Sequence, residues 1–187
     1  MQLLAYGMRT HERVTKRIWE SVATGGLLIA SPPCAEPSIP PTWLEGHNAI
    51  YIDLHGEPSD VFLMGDTATG PMTRALSLHT VRRAELGGAV VFLTSCYLPQ
   101  TGFIDAFLQA GASAVIGGSG QNWGGRLWPQ GAQRLGLYFL ELYAKDVPTE
   151  YCLKCAKHRL RWDVAQRIMH TKATMDALEF KLWRREL

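Results

Sequence analysis

Short apolar runs separated by amphipathic stretches set the rhythm of this chain. Leu3-Leu4-Ala5-Tyr6 and the run 27–30 read as short strands, as do Ala49-Ile50-Tyr51-Ile52-Asp53-Leu54, the run 89–95 and Ala114-Val115-Ile116-Gly117. These runs are apolar almost throughout rather than alternating, which is the pattern of strands buried on both faces of a sheet. Between them the period changes. Val14, Ile18 and Val22 recur at fourfold spacing and predict a helix over 13–22. Further helices are expected over 72–84, 103–110 and 131–145, with Thr101 as an N-cap and Gly111 as a C-terminal glycine for the second of these. Pro148-Thr149-Glu150 opens a last, long helical region. Ser31-Pro32-Pro33 begins a proline-rich loop through Pro41, Val61-Phe62-Leu63-Met64 reads as an excursion or hairpin, and Thr69-Gly70-Pro71 is a turn.

A strand followed by a helix, repeated along the chain, predicts an α/β fold with a mostly parallel central sheet covered on both faces. With 187 residues, 47% of them apolar, the chain is long enough to bury one substantial core. Ligands in such folds bind outside the carboxyl ends of the strands. Three features fall there. His55 follows one strand and is itself followed by Gly56, Cys96 closes the run 89–95, and the glycine-rich loop 117–125 carries Gln121, Asn122 and Trp123.

A thiol is a weak nucleophile until it ionises, and a nearby imidazole or oriented backbone dipoles lower its pKa. A histidine and a cysteine on one rim of a sheet therefore suggest a nucleophile and its proton-transfer partner. The amides of Gly56 and Cys96 are candidate donors to the oxyanion such an attack creates. Taken singly, Cys96 reads as a buried, inert thiol and His55 as a satisfied polar residue. Their matched positions, together with the third glycine-rich strand end, favour chemistry.

Composition removes other classes. A formal net charge of +2 is too small to mark a nucleic-acid or membrane surface. The basic stretch from Lys154 to Arg185, which includes Trp183-Arg184-Arg185, reads as a solvated helix of mixed charge. No apolar run approaches the ~20 residues of a membrane span, and the first residues lack the basic start of a secretory signal. Four cysteines are too few for a disulfide scaffold, so a reduced, cytoplasmic setting is expected. Cys152 and Cys155, with His158 close by, form part of a zinc-like pattern, but no second pair follows and only His170 lies downstream. On a helix the two cysteines share a face, so two core-facing thiols suffice. No metal and no cofactor are expected. Cys34 reads as incidental, and His11, His47 and His79 as structural or exposed.

The runs around the two candidate residues carry a family resemblance. Tyr51-Ile52-Asp53-Leu54-His55-Gly56, followed by Gly88-Ala89-Val90-Val91-Phe92-Leu93-Thr94-Ser95-Cys96, resembles the caspase-like cysteine peptidases, and most closely their CHAT-domain branch. The stretch 103–117 is similar to the helix and strand that come next in that family, and 133–144 to the amphipathic helix after them. The resemblance spans about 13–160. It implies a caspase–haemoglobinase fold, a three-layer α/β/α sandwich, with an extra C-terminal helix here. The implied division is a peptidase domain over 1–160 and a helical extension over 161–187. It also implies a His55/Cys96 dyad with Gly56 at the oxyanion site, acting on protein or peptide substrates.

The substrate pocket is expected from Asp53, Thr94, Ser119, Gln121 and Trp123. Arginine- or lysine-specific relatives often carry an aspartate two residues before the nucleophile, and Thr94 stands there instead, so strict basic specificity is not expected. Asp53 reads either as a pocket residue or as a core-side acceptor. Tyr97-Leu98-Pro99 after the cysteine, and Ser119 to Trp123 in place of a Ser-Leu-Trp arrangement, depart from the family pattern. A catalytically inactive CHAT-like binding or scaffold module stays open as the alternative. Control by a regulatory protein partner is expected, with the C-terminal segment carrying Trp162, Phe180, Leu182 and Trp183 as the docking element. The oligomeric state is not fixed by the sequence.

Overall fold

The computed structural model describes residues 1–166 and 171–184. A six-stranded sheet forms its centre. In chain order its strands are β1 (Gln2–Met8), β2 (Gly25–Ser31), β3 (Ala49–Asp53), β6 (Val90–Leu93), β7 (Ala114–Gly117) and β8 (Lys181–Arg184). A separate two-stranded hairpin of β4 (Phe62–Gly65) and β5 (Thr73–Ser77) stands beside it. The spatial order is β2-β1-β3-β6-β7-β8, with every pair parallel except β7 and β8. The helices are α1 (Glu12–Val22), α2 (Leu78–Arg82), α3 (Phe103–Gln109), α4 (Gly131–Tyr143), α5 (Thr149–Ala165) and α6 (Thr171–Leu178).

Strand alternation divides the core into two layers. Leu4, Tyr6, Ile50, Ile52, Val91, Leu93 and Val115 face one cluster, which α2, α3 and the hairpin complete. Leu3, Ala5, Ala49, Tyr51, Val90, Phe92 and Ile116 face the other, under α1, α4, α5 and α6. On that second face Phe92 packs within 5.5 Å of Phe139 and 5.6 Å of Phe180, ring centroid to centroid. Each such ring contributes roughly 1.5–3 kcal/mol of burial. This three-layer arrangement explains why the inner strands read as continuous apolar runs.

Two expectations about local structure need correcting. The segment 72–84 is not one helix: Thr73–Ser77 pairs antiparallel with β4, and only Leu78–Arg82 is helical. Pairing across the hairpin overrides the helical propensity, and Ser77 then caps α2 by accepting from the Thr80 amide. The end of the chain is not helical throughout either. After α6 it turns into β8, which adds an antiparallel edge to β7 and buries Phe180, while Trp162 stays exposed. Helix α5 itself runs across position 160. His170 and Arg185 lie outside the described residues.

Cys152 and Cys155 are not two core-facing thiols. Cys152 is buried and donates to the Val147 carbonyl at 3.1 Å, whereas Cys155 is exposed. All four cysteines are free. Among the described residues, no helix is long and apolar enough to cross a membrane.

Candidate active site

The parallel register between β3 and β6 assembles the site. Ile52 sits beside Leu93. One residue on, the Thr94 hydroxyl donates to Asp53 at 2.7 Å, while the Thr94 amide donates to the Ile52 carbonyl at 2.9 Å. Just past the paired residues, His55 follows the end of β3 and Cys96 the end of β6. Both line one cleft of about 380 Å³, together with His11, Asp53, Leu54, Gly56, Glu57, Thr94, Gln121, Asn122, Trp123 and Arg126.

Gly56 is required by this approach. A Cβ at position 56 would collide with the Cys96 carbonyl oxygen and crowd the Cys96 amide and the Ser95 side chain. Neither the Gly56 nor the Cys96 amide donates to a backbone carbonyl among the described residues. Directly after Cys96, Tyr97 adopts φ 53°, a left-handed conformation costly for a residue with a side chain. It is held there by the loop that follows β7. The Tyr97 amide donates to Gly120 at 3.0 Å, the Leu98 amide to Gly118 at 3.3 Å, and the Asn122 side-chain amide to the Ser95 carbonyl at 2.8 Å.

The Cys96 sulfur sits between the two backbone groups of one residue. The Asn122 amide donates to it at 3.2 Å, and the thiol points back toward the Asn122 carbonyl at 3.6 Å. Burial pushes the thiol pKa up, the Asn122 amide opposes that rise, and the nearby Glu57 and Asp53 charges add to it. The expected lowering of this pKa is therefore not what the site provides at rest. Desolvation outweighs the single oriented dipole.

His55 is positioned by the hairpin. Its amide and carbonyl exchange hydrogen bonds with Met64, both at 2.9 Å. Its Nε2 faces the Asp66 carboxylate at 3.2 Å. Asp66 also accepts from the Thr10 hydroxyl at 2.5 Å. Burial would raise the Asp66 pKa, but the Thr10 and His55 hydrogen bonds and the histidine charges outweigh it and hold the pKa below the usual value.

Asp53 lies deeper, 3% exposed, and takes three side-chain donors: Thr94, the Gln133 amide at 2.7 Å and the His11 Nδ1 at 3.1 Å. Burial of Asp53 works to raise its pKa, and the His11 charge with the three donors turns the balance downward. The same contact raises the His11 pKa against the lowering effect of its own burial. The Gln133 carbonyl oxygen accepts from the Gly125 amide at 2.7 Å, which fixes the orientation of the amide and ties the loop to the network.

Of the residues expected around the site, His55, Gly56, Cys96, Asp53, Thr94, Gln121 and Trp123 converge on the cleft. Ser119 is exposed and not among its lining residues. Sequence reading missed Asp66, His11 and Gln133. Asp66 had one available signal, an acidic residue directly after the Val61–Gly65 apolar excursion, but its partner is set by the hairpin. His11 and Gln133 come from the starts of helices distant in sequence.

A mostly parallel sheet, helices on both faces, and a cleft at the carboxyl ends of its two central strands define a caspase–haemoglobinase fold. Solved structures agree. The chain superposes on the complex of Porphyromonas gingivalis RgpB pro- and mature domains with a TM-score of 0.62 at 12% identity, covering 98% of this chain and 47% of that one. It superposes on the Arg-specific cysteine proteinase gingipain R with a TM-score of 0.58, again at 12% identity, covering 98% and 46%. The chain thus spans about half the length of these chains, and at this identity the likeness is one of fold. No family model matches the sequence, and no curated protein matches it.

Proposed function

We propose that this chain is a caspase-like cysteine endopeptidase with Cys96 as nucleophile and His55 as general acid and base. One observation carries the reading: the β3–β6 register brings His55 and Cys96 to one cleft, with the Gly56 backbone against that of Cys96. The Cys96 sulfur attacks the peptide carbonyl carbon as His55 takes the thiol proton. The oxyanion is received by the Gly56 and Cys96 amides, and His55 passes the proton to the leaving nitrogen as the C–N bond breaks. Water, deprotonated by His55, then cleaves the thioester.

Substrate preference follows from Asp53. Its carboxylate lies at the floor of the cleft but is already occupied by three side-chain donors, so it does not anchor a substrate cation. Thr94, Gln121 and Trp123, with Glu57 and Arg126, line the wall a substrate side chain meets. Gingipain R is an Arg-specific proteinase, and this chain is proposed to differ. The RgpB structure pairs a pro-domain with its mature domain, and control by a protein partner is proposed here on that precedent. Four free thiols favour a reducing compartment such as the cytoplasm.

The test is cleavage of a fluorogenic peptide library varied at the residue before the scissile bond. Turnover by the wild-type chain, lost in both Cys96→Ala and His55→Ala, is expected; turnover that survives Cys96→Ala refutes the reading. The raised thiol pKa favours one second reading, a non-catalytic binding module of the CHAT type. An iodoacetamide rate at Cys96 no faster than at the exposed Cys155 would support that module instead.

A further inference from the structure

We infer that Asp66 is the positioning residue of His55, holding its imidazole with Nε2 protonated so that Nδ1 keeps the free lone pair. This rests on the proposed role of His55 as base, but the placement of Asp66 has its own structural grounds. Imidazole has two nitrogens, and the hydrogen bond made by one decides which is free on the other. A carboxylate beside Nε2 accepts a proton and offers none, so the neutral ring places its N–H there.

The carboxylate is itself fixed from three directions. Gly65, just before it, lies so close to β2 that a Cβ would collide with the Ser31 side chain and carbonyl. The Asp66 carbonyl accepts from the Arg9 amide at 3.1 Å, and its second carboxylate oxygen accepts from the Thr10 hydroxyl at 2.5 Å. The hairpin also grips His55 directly through the paired Met64 hydrogen bonds. The orienting carboxylate and the grip on the His55 backbone thus come from one element. A group held on both sides before reaction costs little reorganisation during it.

The experiment uses the full chain labelled with 15N-histidine, in the wild type and in Asp66→Asn, Asp66→Glu and Thr10→Val. Long-range 1H–15N spectra at alkaline pH read the tautomer of the His55 ring, with His55→Ala for assignment. The wild type is expected as the Nε2–H tautomer. Asp66→Asn is expected to lose it, because the amide can donate to Nε2. Asp66→Glu is expected to restore it in part, and Thr10→Val to mix the two forms. The rate of Cys96 alkylation should fall about tenfold to a hundredfold in Asp66→Asn, in proportion to lost general-base assistance. Should Asp66→Asn not fold, Thr10→Val decides by the same spectra. An unchanged tautomer in the folded variant overturns the inference. A changed tautomer with alkylation equal in wild type and His55→Ala leaves the orienting role of Asp66 intact and removes His55 as the base.

Discussion

Two histidine–aspartate pairs stand at the carboxyl edge of the sheet, and burial sets them apart. His11 and Asp53 lie deep in the cleft, with side chains 14% and 4% exposed, and Asp53 is further occupied by Thr94 and Gln133. His55 and Asp66 are more open, at 34% and 20%, and the imidazole contacts the cleft. In the first pair the donors surround the carboxylate and lock the ends of β3 and β6 together. In the second the Asp66 carboxylate accepts from Thr10 and faces His55 Nε2. The filled carboxylate of Asp53 makes the first pair a brace, whereas the second holds the histidine proposed for proton transfer.

The largest contrast is expected in activity. Cys96→Ala and His55→Ala should each reduce peptide cleavage by about 10⁴-fold or more, with thermal unfolding midpoints close to wild type. His11→Asn should leave measurable turnover, because His11 acts through Asp53. Next comes stability. Asp53→Ala leaves His11 buried without its anion and should cost about 3–5 kcal/mol in urea unfolding. Asp66→Ala, in the more open pair, should cost no more than about 1 kcal/mol. Gly56→Ala should cost about 1–3 kcal/mol through overpacking against Cys96 and should impair turnover in the folded fraction.

The smallest expected effect is in pH dependence. Folding raises the His11 pKa, so the native state binds more protons above the unfolded value of about 6.5. That contribution is full below this value and is lost as pH rises through the higher native one. Folding lowers the Asp53 pKa, so its contribution is present above the ordinary carboxylate value and is lost as pH falls through the native one. Urea midpoints should therefore decline on the alkaline side of about pH 6.5, and His11→Asn should flatten that decline.

Much of the frame was legible because its signals are local. The apolar runs marked the five parallel strands near their observed places, and the ends of β3 and β6 announced His55 and Cys96. The glycine after His55 pointed to close backbone approach. What escaped depends on pairing between distant segments. Nothing in Thr73–Ser77 distinguishes strand from helix until β4 lies beside it, and β8 is defined only by the exposed edge of β7. Asp66 becomes a partner of His55 only through the hairpin. His11 and Gln133 reach Asp53 across 42 and 80 residues of sequence. Desolvation of Cys96, which reverses the expected direction of its pKa, is a property of the closed loop from Gly118 to Asn122 rather than of any motif.

The central claim is that His55 activates Cys96. Intact-protein mass spectrometry after brief exposure to peptidyl acyloxymethyl ketones, varied at the residue next to the reactive group, measures this most directly. One adduct on Cys96 is expected, fastest with a residue that is not basic and lost in both Cys96→Ala and His55→Ala. Labelling of Cys96 that proceeds equally well without His55, or absence of labelling at Cys96 in the wild type, would contradict the account.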